Sequence, residues 1–256
     1  MHLPASFHDL RDRSVFITGG GSGIGEHLVA GFLSQGCKVA FADIRESTSL
    51  CDRLEAEHGR RPHFIACDIT DIAALKAAIG EARDRHGPIG VLVNNAANDD
   101  RHGVDSYSPE EWDRSLNLNL RPHYFTTQAV AGDMRASGGG SIINFSSISY
   151  MMGMGDYPAY VAAKAGITGL TRGLARELGG DNIRVNAVMP GWVLTERQQR
   201  LWVTEEALAA HVERQCLKET MQPDDLVCPV LFLASQASRM MTGQALVVDG
   251  GVVTTG

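Results

Sequence analysis

The chain has 256 residues, 44% of them apolar and 21% charged, and carries a formal net charge of −7. That length suits one domain with a sizeable core. The negative balance argues against a nucleic-acid backbone or an anionic membrane as main partner, since both call for a basic face. The first expected strand, Ser14–Thr18, runs into the turn Thr18-Gly-Gly-Gly-Ser-Gly-Ile-Gly25 and a helical stretch from Glu26 to Gln35. Strands follow at Lys38–Asp43 and His63–Asp68, then a helical period over Ala73–Arg85 and a strand at Val91–Asn94. Beyond them lie a long amphipathic stretch from Pro109 to Arg135, a strand at Ser141–Ser146 and a helical stretch from Tyr157 to Leu178. Strands at Ile183–Val188 and Ala245–Asp249 flank the least regular part of the chain, 192–222, which reads as a lid or binding loop.

Strands that read as continuous apolar runs suit a parallel sheet covered on both faces. Alternating β and α units predict right-handed crossovers and a doubly wound α/β sheet of Rossmann type, one domain over 1–256. The five cysteines are odd in number and form no C-x-x-C, so neither a metal site nor a disulfide framework is expected. Buried thiols in a reducing compartment, the absence of an apolar leader-like run and the absence of a span-length segment all predict a cytoplasmic location.

The glycine-rich turn stands after a strand and before a helix. Glycines there let backbone approach a pyrophosphate, and the helix N-terminus supplies free N–H groups. This marks Gly19, Ser22, Gly23, Ile24 and Gly25 as cofactor-binding residues. Asp43 ends the second strand about twenty residues beyond the glycines, where an acid takes a ribose hydroxyl and repels a 2′-phosphate. NAD is therefore expected over NADP, with the adjacent Arg45 as the one contrary hint.

Only four lysines occur, and Lys164 lies in an apolar helical stretch four residues after Tyr160. The two share a helix face. An ammonium beside a phenol favours the phenolate, although a snorkelling lysine beside a packing tyrosine has the same spacing.

With these pieces in order, the chain resembles the short-chain dehydrogenase/reductase family over nearly its whole length. The resemblance rests on the Thr18–Gly25 turn, Asp43, Cys67-Asp68-Ile69, Asn94-Asn95-Ala96-Ala97, Trp112 through Asn119, Ser146-Ser147, Tyr160 to Lys164, Pro190-Gly191 to Thr195, and Thr242 through Gly251. Ala97 departs from the family's usual glycine. The resemblance implies Tyr160 as general base for alcohol oxidation, Lys164 as the group that lowers its pKa and binds ribose, and Ser147 as partner of the reacting oxygen. Asn119 would hold a water in a proton relay. Ser146, Tyr157 and Asn117 are the alternatives, and the first two do not fit the spacing. Asp68 and Ile69 would meet adenine, Asn95 and Ala96 the ribose. Pro190, Gly191, Val193 and Thr195 would reach the carboxamide and phosphates.

A finer resemblance concerns Asn98-Asp-Asp-Arg-His102, Arg197-Gln198, Trp202 and Gln215 to Lys218, which look like bacterial NAD-dependent aldose 1-dehydrogenases acting on D-xylose, L-arabinose or D-galactose. It implies oxidation of a cyclic aldose at C1 to the aldonolactone, with Asn98, Ser147, Ser149, Tyr160, Trp192 and Gln198 lining the sugar. A solvated turn at Asp99–His102 and a lid-packing Trp202 are the plain alternatives. The competing functions are a 3-oxoacyl reductase or other alcohol dehydrogenase, and a non-catalytic NAD-sensing module. Family members commonly pair their long helices across two-fold axes, which predicts a homotetramer.

Overall fold

The structure is a computed structural model that describes residues 5–254. Seven strands form one parallel sheet: β1 (Ser14–Thr18), β2 (Lys38–Asp43), β3 (His63–Ala66), β4 (Val91–Asn94), β5 (Gly140–Phe145), β6 (Ile183–Pro190) and β7 (Ala245–Val248). Their order is β3-β2-β1-β4-β5-β6-β7. The chain thus winds outward from β1 through β3, then restarts on the other side of β1 at β4. In such a sheet a crevice opens at the carboxyl ends of the strands where the order reverses.

The helices are α1 (Gly23–Ser34), α2 (Thr48–His58), α3 (Ile72–His86), α4 (Pro109–Asn119), α5 (Arg121–Ala136), α6 (Pro158–Leu178), α7 (Glu196–Leu201), α8 (Glu205–Arg214) and α9 (Val227–Ala234). Successive strand side chains point to opposite faces, and here both faces are buried. Val15, Ile17, Val39 and Phe41 join a core with α1, α2 and α9, including Leu28, Leu54 and Val230. Phe16, Ala40, Ala42 and Leu92 join the opposite core with α3, α5 and α6, including Ile79, Val130 and Leu178. This double burial is why the strands read as unbroken apolar runs.

Strand limits match the expected ones at β1, β2 and β4 and differ by one or two residues at the others. Two larger differences have physical causes. The expected continuous stretch Pro109–Arg135 is two helices, with Leu120 between them at φ −125° and ψ −52°. Pro122 offers no N–H and its ring crowds the preceding turn, so the helix cannot run through. The segment 192–222 is not irregular throughout: it holds α7 and α8, each opened by a threonine, Thr195 or Thr204, whose hydroxyl accepts from a backbone N–H of the first turn. No described helix is long and apolar enough to cross a membrane.

Between the layers, buried amides form a polar ladder. Asn94 Nδ2 donates to Asn144 Oδ1 at 2.9 Å, Asn144 Nδ2 to Thr171 Oγ1 at 3.0 Å, and Thr126 Oγ1 to Asn94 Oδ1 at 2.8 Å. It ties β4 and β5 to α5 and α6 directly beneath the crevice.

Candidate active site

A cleft of about 1630 Å³ opens over the carboxyl ends of the strands, floored by the glycine-rich turn at one end and by Ser147 and Tyr160 at the other. Two positions of the turn require glycine. Gly19 has φ +70°, and a Cβ on Gly25 would stand 1.8 Å from the Gly19 carbonyl oxygen. Asn95 braces the turn from β4, its Nδ2 donating to Gly19 O at 2.9 Å and Thr18 O at 3.1 Å. The N–H groups of Asn95 and Ala96 donate to Thr18 Oγ1. Ser22 precedes α1 without a side-chain capping bond. The first amides of α1, Gly23 to Gly25, therefore face the cleft free to meet an anionic pyrophosphate. These residues fit a dinucleotide.

Asp43 is buried at the end of β2. Its Oδ2 accepts from the Gly21 N–H at 2.8 Å and its Oδ1 from the Arg45 N–H at 3.0 Å. The carboxylate thus clamps the turn as well as facing the cleft. Arg45 reaches over it, Nη2 donating to Ser22 Oγ at 2.6 Å. Farther along, Ile69 is buried while exposed Asp68 holds Thr70. Pro190, Gly191, Val193 and Thr195 line the opposite wall. Val193 is fixed there by a parallel bridge to Met221, and Thr195 caps α7.

Tyr160 and Lys164 lie on α6 with the Lys164 Nζ 5.3 Å from the centre of the Tyr160 ring. Lys164 is almost completely buried and donates to the Phe145 carbonyl at 2.8 Å. Burial lowers its pKa to about 7. Burial also pushes the Tyr160 phenol well above its ordinary value, the Asp99 carboxylate adds to the rise, and a hydrogen bond with Ser147 opposes it. Among the protein's own groups, loss of solvation is the largest influence on Tyr160. Ser146 and Ser147 diverge. Ser146 Oγ is spent on Lys164 O at 2.7 Å and Thr168 Oγ1 at 3.1 Å. Tyr157, the alternative tyrosine, has its hydroxyl on the Met154 sulfur at 3.3 Å.

Asn119 is buried, and its side chain is committed. Nδ2 donates to Asn98 O at 2.9 Å and Oδ1 accepts from Asn98 N at 2.8 Å. Its carbonyl is another matter. The residue three on is Pro122, which has no N–H, and the His123 N–H goes to Leu120 O at 3.2 Å. The helix break thus leaves the Asn119 carbonyl without its usual intrahelical donors.

The substrate end mixes foreseen and unforeseen groups. Trp192 Nε1 donates to Gln198 Oε1 at 3.0 Å, and Gln198 Nε2 donates to Asp99 Oδ2 at 2.8 Å. Asn98 donates to Asp100 and accepts from Arg197. Asn98 and Gln198 line the cleft, with both ends of their amides joined to neighbours. Ser149 Oγ is buried without a partner among the described residues. Sequence reasoning missed Asp99, Arg101, Trp202 and His211 as cleft-lining groups. It also missed His123, buried behind Lys164, where burial lowers its pKa to about 3.

Comparison with known proteins settles the family. The family model described as "Enoyl-(Acyl carrier protein) reductase", a short-chain dehydrogenase model, matches residues 19–253. The chain belongs to the short-chain dehydrogenase/reductase family. This short-chain dehydrogenase is 55% identical to the probable galactose dehydrogenase GalD of Rhizobium meliloti, covering 98% of this chain and 100% of the relative. It is 46% identical to D-xylose 1-dehydrogenase of Caulobacter vibrioides, covering 96% and 98%. A solved structure from Sinorhizobium meliloti, described only provisionally as a short-chain alcohol dehydrogenase, superposes with a TM-score of 0.91 at 29% identity, over 96% of this chain and 98% of that one. The dehydrogenase is an oxidoreductase whose chemistry draws on a nicotinamide cofactor.

Proposed function

We propose that this short-chain dehydrogenase oxidises the C1 hydroxyl of a cyclic aldose to the aldonolactone, with NAD as cofactor. One observation carries the sugar reading. Over nearly the full length, identity reaches 55% and 46% with the galactose and xylose enzymes, against 34% and 35% with relatives named for a deoxygluconate and an acyl-carrier substrate. The acyl-carrier reading, suggested by the description of the family model, is further disfavoured by the net charge of −7, since an acidic carrier seeks a basic entrance.

In this reading the bound nicotinamide supplies the hydride acceptor. The protein does the rest. Ser147 holds the reacting oxygen, and Tyr160, as phenolate, removes its proton. Lys164 donates toward the cofactor ribose and favours the phenolate when both are in place. The uncommitted Asn119 carbonyl seats a water that passes the proton on, while the Asn119 side chain holds the Asn98 loop. Gly19, Ser22, Gly23, Ile24 and Gly25 cradle the pyrophosphate. Asp43 takes the ribose hydroxyls and supports NAD over NADP by repelling a 2′-phosphate. Residues 192–222 act as the lid.

Self-association as a homotetramer belongs to the same proposal. Trp112 on α4 and Tyr124 on α5 expose 39% and 45% of their surface, which suits helices that pair across a two-fold axis. Light scattering that finds a monomer at micromolar concentration removes it. The function is tested by mixing purified protein with NAD or NADP and D-galactose, D-xylose or L-arabinose. Reduced cofactor and the matching lactone are expected. Turnover of acyl thioesters alone overturns the sugar reading.

A further inference from the structure

The segment 98–102 leaves β4 and enters the cleft rather than forming a solvated turn. The Asp99 and Arg101 side chains are only 16% and 25% exposed. His102 anchors the segment, stacked on Tyr107 at 3.6 Å and accepting from the Ala159 N–H of α6 at 3.2 Å. Arg101 is held by aromatic faces. Its guanidinium carbon lies 3.8 Å from the centre of the Tyr157 ring and 5.2 Å from that of Trp202. Tyr157 in turn stacks on Tyr160, so the guanidinium stands one ring away from the reacting hydroxyl.

The edge of this guanidinium is under-used. The nearest carboxylate oxygen, Asp99 Oδ2, is 3.9 Å away, too far for a hydrogen bond. Arginine carries five N–H donors in a rigid fork. Asp99 is also incompletely used. Its two oxygens accept one bond each, from Arg197 Nη1 at 3.2 Å and Gln198 Nε2 at 2.8 Å. Each carboxylate oxygen accepts two. A planar donor and an acceptor therefore stand side by side on the cleft wall. Ser149 Oγ, Trp202 Nε1 and His211 Nε2 belong to residues of the same wall and are buried without partners among the described residues.

We infer that Arg101 is a substrate-positioning residue, its fork donating to two adjacent oxygens of the sugar while Asp99 accepts from one of those hydroxyls. The inference rests on the aldose reading and names what that site selects: an uncharged vicinal diol. Asp99, Asp100, Arg101 and Arg197 sum to no net charge. A substrate carboxylate bound by Arg101 would stand beside Asp99 and be repelled by it. Sugar acids are therefore disfavoured, although some relatives are named for one. Trp202 follows α7, so the second aromatic face over Arg101 is supplied by the lid, and the receptor is complete only when lid and loop are together.

The test uses full-length protein, saturating NAD, the aldose turned over best among D-galactose, D-xylose and L-arabinose, its monodeoxy analogues and its uronic acid. For Arg101→Met the KM for the aldose is expected to rise tenfold or more, with kcat within a few-fold and the Kd for NAD unchanged. Wild type is expected to disfavour at least one deoxy analogue about tenfold in kcat/KM, and Arg101→Met is expected to lose that discrimination. A merely structural Arg101 would leave the discrimination intact. Unchanged KM or unchanged discrimination overturns the inference. Wild type alone is expected to disfavour the uronic acid at least tenfold, a readout that stands even if the variant does not fold; equal turnover overturns the inference as well. Absence of any aldose oxidation by wild type would remove the sugar reading and this receptor with it. Aldose oxidation with unaltered discrimination in the variant would remove the receptor alone.

Discussion

The Tyr157 ring lies on the Tyr160 ring, centroids 5.2 Å apart and planes inclined by 29°. Tyr157 is the N-cap of α6 and Tyr160 lies in its first turn, and only Tyr160 stands over Lys164. Their hydroxyls are separable by mutation. Tyr160→Phe is expected to lower turnover by roughly 10²–10⁴-fold while NAD binding persists, since the ring still packs. Tyr157→Phe keeps the stack on Tyr160 and the aromatic face under Arg101, so activity within a few-fold of wild type is expected. Steady-state kinetics on both variants check this. Equal losses would contradict the assignment of the base.

Cofactor choice follows from the Asp43 carboxylate. Asp43→Ala removes the charge that faces a 2′-phosphate and strands the Gly21 N–H, which costs about 1–3 kcal/mol of stability. Asp43→Asn retains an acceptor and loses the charge. Both variants are expected to raise the NADP-to-NAD ratio of kcat/KM by about tenfold or more, a difference of about 1.4 kcal/mol. Both variants should also lower the urea midpoint, since each leaves at least one of the Gly21 and Arg45 N–H groups without its acceptor. Wild type that uses NADP as well as NAD would overturn the preference and point to Arg45.

Lys164 makes stability depend on pH. Its folded pKa of about 7 lies below the unfolded lysine value. Between about 7 and roughly 10.4 the unfolded chain binds the proton and the folded chain does not, so stability rises with pH across that window and is flat below it. Lys164→Met is expected to remove this rise. It should also raise the melting temperature at neutral pH by about 2–4 °C per kcal/mol recovered, while abolishing most activity. Urea titrations of protein without added NAD at several pH values give the measurement.

Arg197 is the latch between lid and loop. Its guanidinium donates to Asn98 at 2.7 Å, Asp100 at 2.9 Å and Asp99 at 3.2 Å. Arg197→Ala is expected to raise the KM for sugar about ten- to a hundredfold, the loss of a charged hydrogen-bonded contact worth about 1.5–3 kcal/mol. Hydrogen exchange over 194–222 should quicken in the variant and slow in wild type when NAD and sugar are added. Exchange unaffected by either would count against a closing lid.

Much of this was legible in the chain. The glycine turn, Asp43 and the Tyr160–Lys164 spacing are local patterns, fixed by backbone reach and helix periodicity, and the structure brings them to one cleft. The seven strands announced themselves because both sheet faces are buried. The loop 98–102 was harder to read. Charged residues in a row look solvated, and only the fold shows that Tyr157 and Trp202, from distant parts of the chain, shelter Arg101. The Asn94–Asn144–Thr171 ladder was equally hidden, since buried amides pair across strands whose registry the sequence does not state. The reversed pKa balance at Tyr160 and Lys164 depends on burial, which spacing alone does not measure.

The break at Leu120 has a consequence for how this enzyme is dissected. What it frees is a main-chain oxygen, because the His123 N–H that would meet it in an unbroken helix turns to Leu120 instead. Alanine scanning tests side chains, so Asn119→Ala would report on the Asn98 loop and remain blind to the carbonyl itself. Pro122→Ala is the informative swap: without the proline ring the helix can run through, the His123 N–H can return to the Asn119 oxygen, and a group that no side-chain truncation at Asn119 can reach is silenced.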